Sequence, residues 1–550
     1  MSSQPQGGPG HVIGVDVGTG SVRAAVFDVH GALLASHSHA IALYKDEGDR
    51  VEQSSDEIWS AVARCVRAAV QAAGVAPASV LGLGFDATCS LVVLSDAGQP
   101  LPVGDSGDAS RNVIVWMDHR ATAQAERINA TRHPVLDYVG GRISPEMQTP
   151  KLLWLKEHAP EVFDQAGHFF DLTDFLTWRA TGSLQRSSCT LTCKWTYLAH
   201  ERRWDDSYFA AIGLSALSQD GHRRIGQEVV APGTALRGGL SAEAAEALGL
   251  PAGIAVAAGL IDAHAGGVGT VGAPGHGGAQ ANLAYVFGTS SCTMTSTEQA
   301  AFVPGVWGPY FDAMVPGLWL NEGGQSVAGA AIEQLLRMHP AQAEAQQLAE
   351  QAGLSLPNWL AQRASALAPD GDWCALVRGV HVVPEFLGNR APHAQPNTRA
   401  VIAGLGMHDD LDQLVVLYVA GVLGLGYGLR QIIQAQEQAG VAVQHIVISG
   451  GAGRSPLVRQ WLADATNLPV LVPRTDEPVL LGSAVLAAVA AGVHADIAAG
   501  MAAMTAVASR HLPRGGASPA VHEQRFALFE RFQAVAIGAA QQAAEQASVA

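Results

Sequence analysis

Lysine is scarce in this sequence. Only Lys45, Lys151, Lys156 and Lys194 stand among the 33 basic residues of a 550-residue chain, and the rest are arginine. With 49 acidic residues the formal charge is −16, a field that repels nucleic acid and anionic lipid and argues against both as partners. A phosphate ligand must then be held locally, by backbone N–H groups in glycine turns, by a metal ion or by one well-placed cation. Cysteine is scarce too. Cys65, Cys89, Cys189, Cys193, Cys292 and Cys374 form no CxxC pair, which points away from a disulfide framework and from zinc and toward a reducing, cytoplasmic setting. No GxxxxGK[ST] occurs, which excludes a P-loop enzyme. The opening MSSQPQGGPG has neither a basic start nor an apolar core, so residues 1–10 read as a flexible tail rather than a leader. The most apolar later stretch, residues 479–493, falls short of the ~20 residues a membrane span needs and reads as a buried helix. No membrane segment is expected. At 48% hydrophobic and 15% charged residues, the chain has the material for large cores and the length for at least two domains.

One local pattern occurs twice. "GVDVGTGSVRAAVFD" at residues 14–28 and "AYVFGTSSCTMTST" at 284–297 each carry a strand-like run, a glycine-hydroxyl turn and a second strand-like run. The turns are Gly18-Thr19-Gly20-Ser21 and Gly288-Thr289-Ser290-Ser291. Facing each other across a cleft, two such turns would offer N–H and O–H donors to the β- and γ-phosphates of ATP. Asp16, present in the first copy only, would then orient the waters of a Mg²⁺ ion bridging those phosphates. Read singly, each is an ordinary β-hairpin.

The strand and helix order extends the repeat. Residues 11–18, 22–28 and 33–41 read as three strands, followed by a helix opened by the capping-box pair Ser54 and Glu57, closed at Gly74, and by a strand over 80–86. The second copy is completed by a strand at 445–450, a helix at 455–466, a strand at 469–473 and the apolar helix from 479. Between the copies, the glycine-rich residues 257–280 read as a hinge. Their Gly267, Gly269 and Gly272 spell GxGxxG, but no strand leads into them and Pro274 follows, so a dinucleotide fingerprint is not supported.

Seven motifs in order, "GVDVGTGSVRAAVFD", "VWMDHRA", "GLIDAHAG", "VFGTSS", "EFLGNRAPHAQPNTRAVIAGL", "ISGGAGRSPLVRQWLAD" and "EPVLLGSAVLAAVAAG", resemble those of FGGY family carbohydrate kinases. "DATCSLV", "MDHRA" and "PEMQTPKLLWLK" are most similar to the D-ribulokinase branch. The resemblance implies an α/β fold of two ribonuclease H-like domains, as in actin, heat-shock ATPases and sugar kinases, facing each other across a nucleotide cleft. It divides the chain into an N-terminal domain at 11–265, binding sugar, and a C-terminal domain at 266–550, binding adenosine. It implies ATP and Mg²⁺ as cofactors and a ketopentose as substrate, D-ribulose first, with L-ribulose, ribitol and D-xylulose as alternatives. A homodimer is compatible with it, and a non-catalytic sugar sensor of the same fold is the reading from another class.

Site residues follow by resemblance. Asp262 is the implied general base, accepting the proton of the attacking sugar hydroxyl; as a residue type it also suits a helix N-cap. Lys194, in the otherwise uncharged "SSCTLTCKWTYL", is an implied sugar contact or a side chain snorkelling over Trp195. Glu322 is the implied carboxylate of the same subsite or a helix-start acid. Ala87 and Thr88, small residues at the end of the 80–86 strand, would leave room for a five-carbon chain. Gly450, Gly451 and Ser455 would shape the adenosine loop or serve a plain βα connection. The sequence departs from the family pattern in the "GAGRS" of this loop and at His393.

Overall fold

The computed structural model describes residues 10–46 and 49–549. All but one residue of the expected tail lie outside the described residues. The first sheet is built on β1 (His11–Val17), β2 (Ser21–Asp28) and β3 (Leu33–Ala40), which form an antiparallel meander. Helix α1 (Ser55–Ala73) follows and leads to β4 (Val80–Ala87), which lies parallel to β1. Every residue of β1 is buried, because β2 and β4 flank it and helices cover both faces, hence its almost continuous apolar run. The Ser54 hydroxyl accepts from Glu57 N at 3.3 Å as the capping-box spacing predicts. The Glu57 carboxylate turns instead to Ala42 N, at 2.9 Å, and ties the helix start to the loop after β3. Gly74, at φ 65°, stops α1.

Further along are α2 (Ser188–Trp195), β5 (Leu260–Ile261), which pairs parallel with the end of β4, and α3 (Asp262–Val268). The second sheet then opens with β6 (Asn282–Phe287), β7 (Ser291–Thr297), β8 (Trp307–Phe311) and β9 (Trp319–Gln325). After a long helix, α4 (Leu411–Gln438), come β10 (His445–Ser449), α5 (Pro456–Thr466), β11 (Val470–Pro473), α6 (Pro478–Ala490) and β12 (Val507–His511). The sheet order is β8-β9-β7-β6-β10-β11-β12, with β6 parallel to β10. Two sheets of like design thus come from the two copies of the sequence pattern.

Helices α3 and α6 lie against each other between the sheets, and α6 packs on β1 and β4. Backbone crowding explains their glycines: a Cβ at Gly14 or Gly84 would overlap the carbonyl of Leu480 or Ser483 in α6, and one at Gly482 would overlap the Ala265 carbonyl in α3. The segment 257–280, expected as a hinge, contains the buried helix α3 at its centre, and a Cβ at Gly269 just after it would overlap the Pro478 carbonyl at the start of α6. The expected division after residue 265 falls inside α3, whereas the change of sheet falls between β5 and β6.

Among the described residues one helix, α4, is long and apolar enough to cross a membrane, but 72% of its apolar window is buried inside the protein. It is the core helix of the second half. Its apolar character is spread around the helix, as suits an element enclosed on all sides.

Candidate active site

Three carboxylates meet at one sheet edge. Strands β1, β4 and β5 run parallel and end together, with Asp16 directly opposite Asp86 and Ile261 opposite Ala87, so that Asp262 emerges one residue later. C-terminal strand edges are where parallel α/β sheets present ligand-binding groups. Asp86 is wholly buried; one carboxylate oxygen accepts from the Ser483 hydroxyl at 2.6 Å and the other has no hydrogen-bond partner. Burial, and then the charge of Asp16, push Asp86 well above the usual carboxylate range. Asp16 is paired with Arg23, whose Nε donates to it at 2.9 Å, and Arg23 Nη1 reaches Glu477 at 2.6 Å. One guanidinium thus ties β2 to the start of α6.

Asp262 opens α3 but does not cap it. Ile261 holds the N-cap position without a side-chain bond, and among the described residues the Asp262 carboxylate accepts only from the adjacent Ala263 N, at 2.7 Å. Burial first, and then Asp16, raise this carboxyl to about 6 against the opposing pull of His264 and Lys194. The half-buried group therefore senses both the Asp16 side and the Lys194 side of the site.

Lys194 on α2 and Glu322 on β9 feel each other's charge, without an ion pair between them among the described residues. Glu322 lies mid-strand, which removes the helix-start reading. Burial alone would raise it, but Lys194, His264 and Arg390 bring it down to about 2. The Lys194 ammonium lies 5.1 Å over the Trp307 ring, not over Trp195, and makes no hydrogen bond among the described residues. Lys151 differs: its Nζ donates to the carbonyls of Val115 and Trp116 at 3.0 and 3.3 Å. Arg390 stacks on Trp307 at 4.4 Å. Ala87 does not join this group, because its methyl packs in the core on the α1 side of the sheet. Thr88 is buried, with its N–H on Val17 O at 3.0 Å and its hydroxyl 3.1 Å from that of Ser90. The member of this segment that feels Lys194 and Asp262 is Cys89, whose thiol burial pushes up to about 12.

The two glycine turns differ in setting. In the first, Gly18 N donates to Ser21 O at 3.0 Å, Thr19 Oγ1 accepts from Trp116 Nε1 at 2.9 Å, and Gly20 is exposed. In the second, Gly288 N donates to Ser290 O at 2.9 Å and both Thr289 and Ser290 are exposed. Gly288, Thr289, Gly451 and Ser455 line a cavity of about 1040 Å³ floored by Tyr418 and Val422 of α4. A smaller one of about 260 Å³ shares Gly451 and Arg454 with it and adds Gly450, Arg23 and Glu477. Cavity space thus runs from the second turn past the 450 loop to the arginine on Asp16. Ser290 and residues 18–21 line neither cavity. His393 turns away from both, bonded to Gln533 at 3.0 Å.

Family models decide what this arrangement is. Residues 11–269 match the N-terminal domain, and residues 283–491 the C-terminal domain, of the FGGY family of carbohydrate kinases. The chain belongs to this family. As a carbohydrate kinase it is a phosphotransferase. It is 47% identical to the human FGGY carbohydrate kinase domain-containing protein, over 94% of each chain. It is 38% identical to a D-ribulokinase of Saccharomyces cerevisiae, over 87% of this chain and 71% of that one. Its fold matches a xylulose kinase from Rhodospirillum rubrum with a TM-score of 0.77 at 22% identity, covering 96% and 98% of the two chains. Sequence reading of this kinase missed Asp86, Arg23, Trp307 and Arg390. Arg390 lies inside the quoted "EFLGNRAPHAQPNTRAVIAGL" and Asp86 inside "DATCSLV".

Proposed function

We propose that this kinase transfers the γ-phosphoryl group of ATP to the terminal 5-hydroxyl of a ketopentose, D-ribulose, giving D-ribulose 5-phosphate. The observation that carries the reading is Asp262, a half-buried carboxylate at the end of β5 with paired carboxylates on one side and a free ammonium on the other. D-Ribulose is favoured by the similarity to the yeast D-ribulokinase and by the segments "DATCSLV", "MDHRA" and "PEMQTPKLLWLK". The N-terminal part would bind the sugar and the C-terminal part the adenosine. All six cysteines are free thiols, which supports a cytoplasmic setting. Phosphorus NMR of the product tests the reaction: phosphate on C5 is expected, and phosphate on C1, or inorganic phosphate alone, would overturn it.

In this reading Lys194 and Glu322 grip sugar hydroxyls, the ammonium donating and the carboxylate accepting. Asp262 takes the proton of the attacking hydroxyl. The turns at 18–21 and 288–290 present N–H and O–H donors to the phosphates, while Gly450, Gly451 and Ser455 admit the adenosine. Asp16 and Asp86 would hold Mg²⁺, directly or through water; two hard oxygen donors in register, one with an unpartnered buried oxygen, fit such an ion. When bound, the ion neutralises phosphate charge.

Two predictions arise here. A base must be ionised to act, and the Asp262 carboxyl sits at about 6, so kcat/KM for the sugar is expected to fall as pH drops through 6 and to level off above it. A profile flat down to pH 5 would remove Asp262 as the titrating base. Secondly, a Cβ at Gly451 meets nothing within 4 Å, so Gly451→Val should fold normally while projecting into the adenosine space. KM for ATP is expected to rise ~10-fold, the cost of roughly one displaced contact, with KM for sugar unchanged. Equal effects on both KM values would contradict the placement.

A further inference from the structure

Behind Asp262 lies a second cluster, one the phosphoryl-transfer reading does not use. Cys189 and Cys193 stand one helical turn apart on α2, and His264 comes from α3. The two sulfurs and a ring nitrogen all lie within 4.8 Å of one another, and the three side chains are buried. Cys189 Sγ is 3.1 Å from His264 Nδ1 and accepts from Ile261 N at 3.4 Å. The other ring nitrogen, Nε2, has no hydrogen bond but faces Glu322 Oε2 at 3.5 Å.

We propose that Cys189 Sγ, Cys193 Sγ and His264 Nδ1 form a site for a zinc-class ion, with Glu322 as the carboxylate partner of the ligating imidazole. Two thiolates and one imidazole are a familiar three-ligand set for Zn²⁺, which leaves the fourth position to water. Zinc–ligand bonds of 2.0–2.3 Å imply ligand atoms about 3.3–3.8 Å apart in a tetrahedron, a little wider than the 3.1 Å between Cys189 Sγ and His264 Nδ1 and inside the 4.8 Å that bounds all three atoms, so small side-chain shifts suffice. A carboxylate on the remote nitrogen is the usual support of a metal-bound histidine. A disulfide fits less well, since side chains four residues apart on a helix hold their Cβ atoms about 5–6 Å apart, whereas a disulfide needs about 3.8 Å.

The site is chemically distinct from the carboxylate edge. Sulfur and imidazole select a softer ion, whereas Asp16 and Asp86 suit Mg²⁺. Cys-x₃-Cys escapes a search for CxxC, which is why the cysteine spacing argued against zinc. An ion here would cross-link the helix carrying Lys194 to the helix carrying Asp262.

The test uses the full chain in excess Mg²⁺, so that the oxygen site is saturated. Wild-type protein titrated with Co²⁺ should show a thiolate-to-cobalt charge-transfer band and the intense visible bands of tetrahedral coordination. Zn²⁺ competed against a chromophoric chelator should bind at one ion per chain. Glu322→Gln is expected to weaken Zn²⁺ binding about 10–100-fold. The Cys189→Ser/Cys193→Ser double variant should lose the band and the stoichiometric ion, while Asp16→Asn should keep both. Wild-type cobalt spectra without a thiolate band would overturn the site whatever the variants do. So would zinc binding that survives the double cysteine variant or disappears in Asp16→Asn.

Discussion

Asp262→Asn is expected to lower kcat by ~10²–10⁴-fold, the range for loss of a positioned general base, with little change in KM for sugar or ATP. Asparagine keeps the shape and the oxygen that accepts from Ala263 N; only the basicity goes. The same substitution should raise the melting temperature at pH 7. A carboxyl raised to about 6 in the folded protein resists ionisation there more than in the unfolded chain, so at neutral pH its charge opposes folding. Removing the charge gives back that stability, and the gain should shrink below pH 6 and vanish below about 4, where the unfolded carboxyl is itself protonated. A variant that is nearly inactive yet more heat-stable than wild type is hard to explain by misfolding. Unchanged kcat would remove the residue from the chemistry.

Lys194→Met should raise KM for the sugar and lower kcat/KM about 10–100-fold, leaving KM for ATP unmoved. The size follows from the ~1.5–3 kcal/mol typical of a hydrogen bond to a charged group. The argument rests on contrast with the other buried lysine. Lys151 is committed to two backbone carbonyls, whereas the Lys194 ammonium has only the Trp307 face and nearby charge. A buried ammonium with unused donors is expensive unless a ligand takes them. Methionine keeps the length of the side chain but leaves Glu322 without its principal counter-charge, so the Glu322 carboxyl should also move up from about 2. If KM for sugar holds while the melting temperature drops, Lys194 is a packing cation for Trp307 and not a substrate contact.

Local signals made much of the fold legible. The run of β1, the Ser54 cap, the Gly74 stop and the Pro-started helix after the 450 loop depend on neighbours in sequence, and each was found within a residue or two. Elements whose meaning depends on packing were less readable. The glycines of 257–280 look alike in sequence, and only the structure separates Gly269, pressed on the Pro478 carbonyl of α6, from Gly275 and Gly278, which have open space beside them. In the site, Asp262 stood out after an apolar run and Lys194 in an uncharged one, whereas Glu322 was implied only by the family resemblance. Asp86 gained importance only from its register with Asp16, and Arg23 only from reaching Glu477 across 454 residues. Strand phase keeps Ala87 out of the site. Ala87 follows the alternation of β4 into the core, while Cys89, just past the strand, lies near Lys194 and Asp262.

Steady-state kcat/KM for D-ribulose, L-ribulose, ribitol and D-xylulose, followed by ADP release at saturating ATP and Mg²⁺, tests the D-ribulose assignment most directly. D-Ribulose should lead each of the other three by at least ~10-fold, because a pocket that hydrogen-bonds specific hydroxyls rejects misplaced ones, and release without sugar should be slow. A higher value for any of the other three, or ADP release indifferent to every pentose, would contradict it.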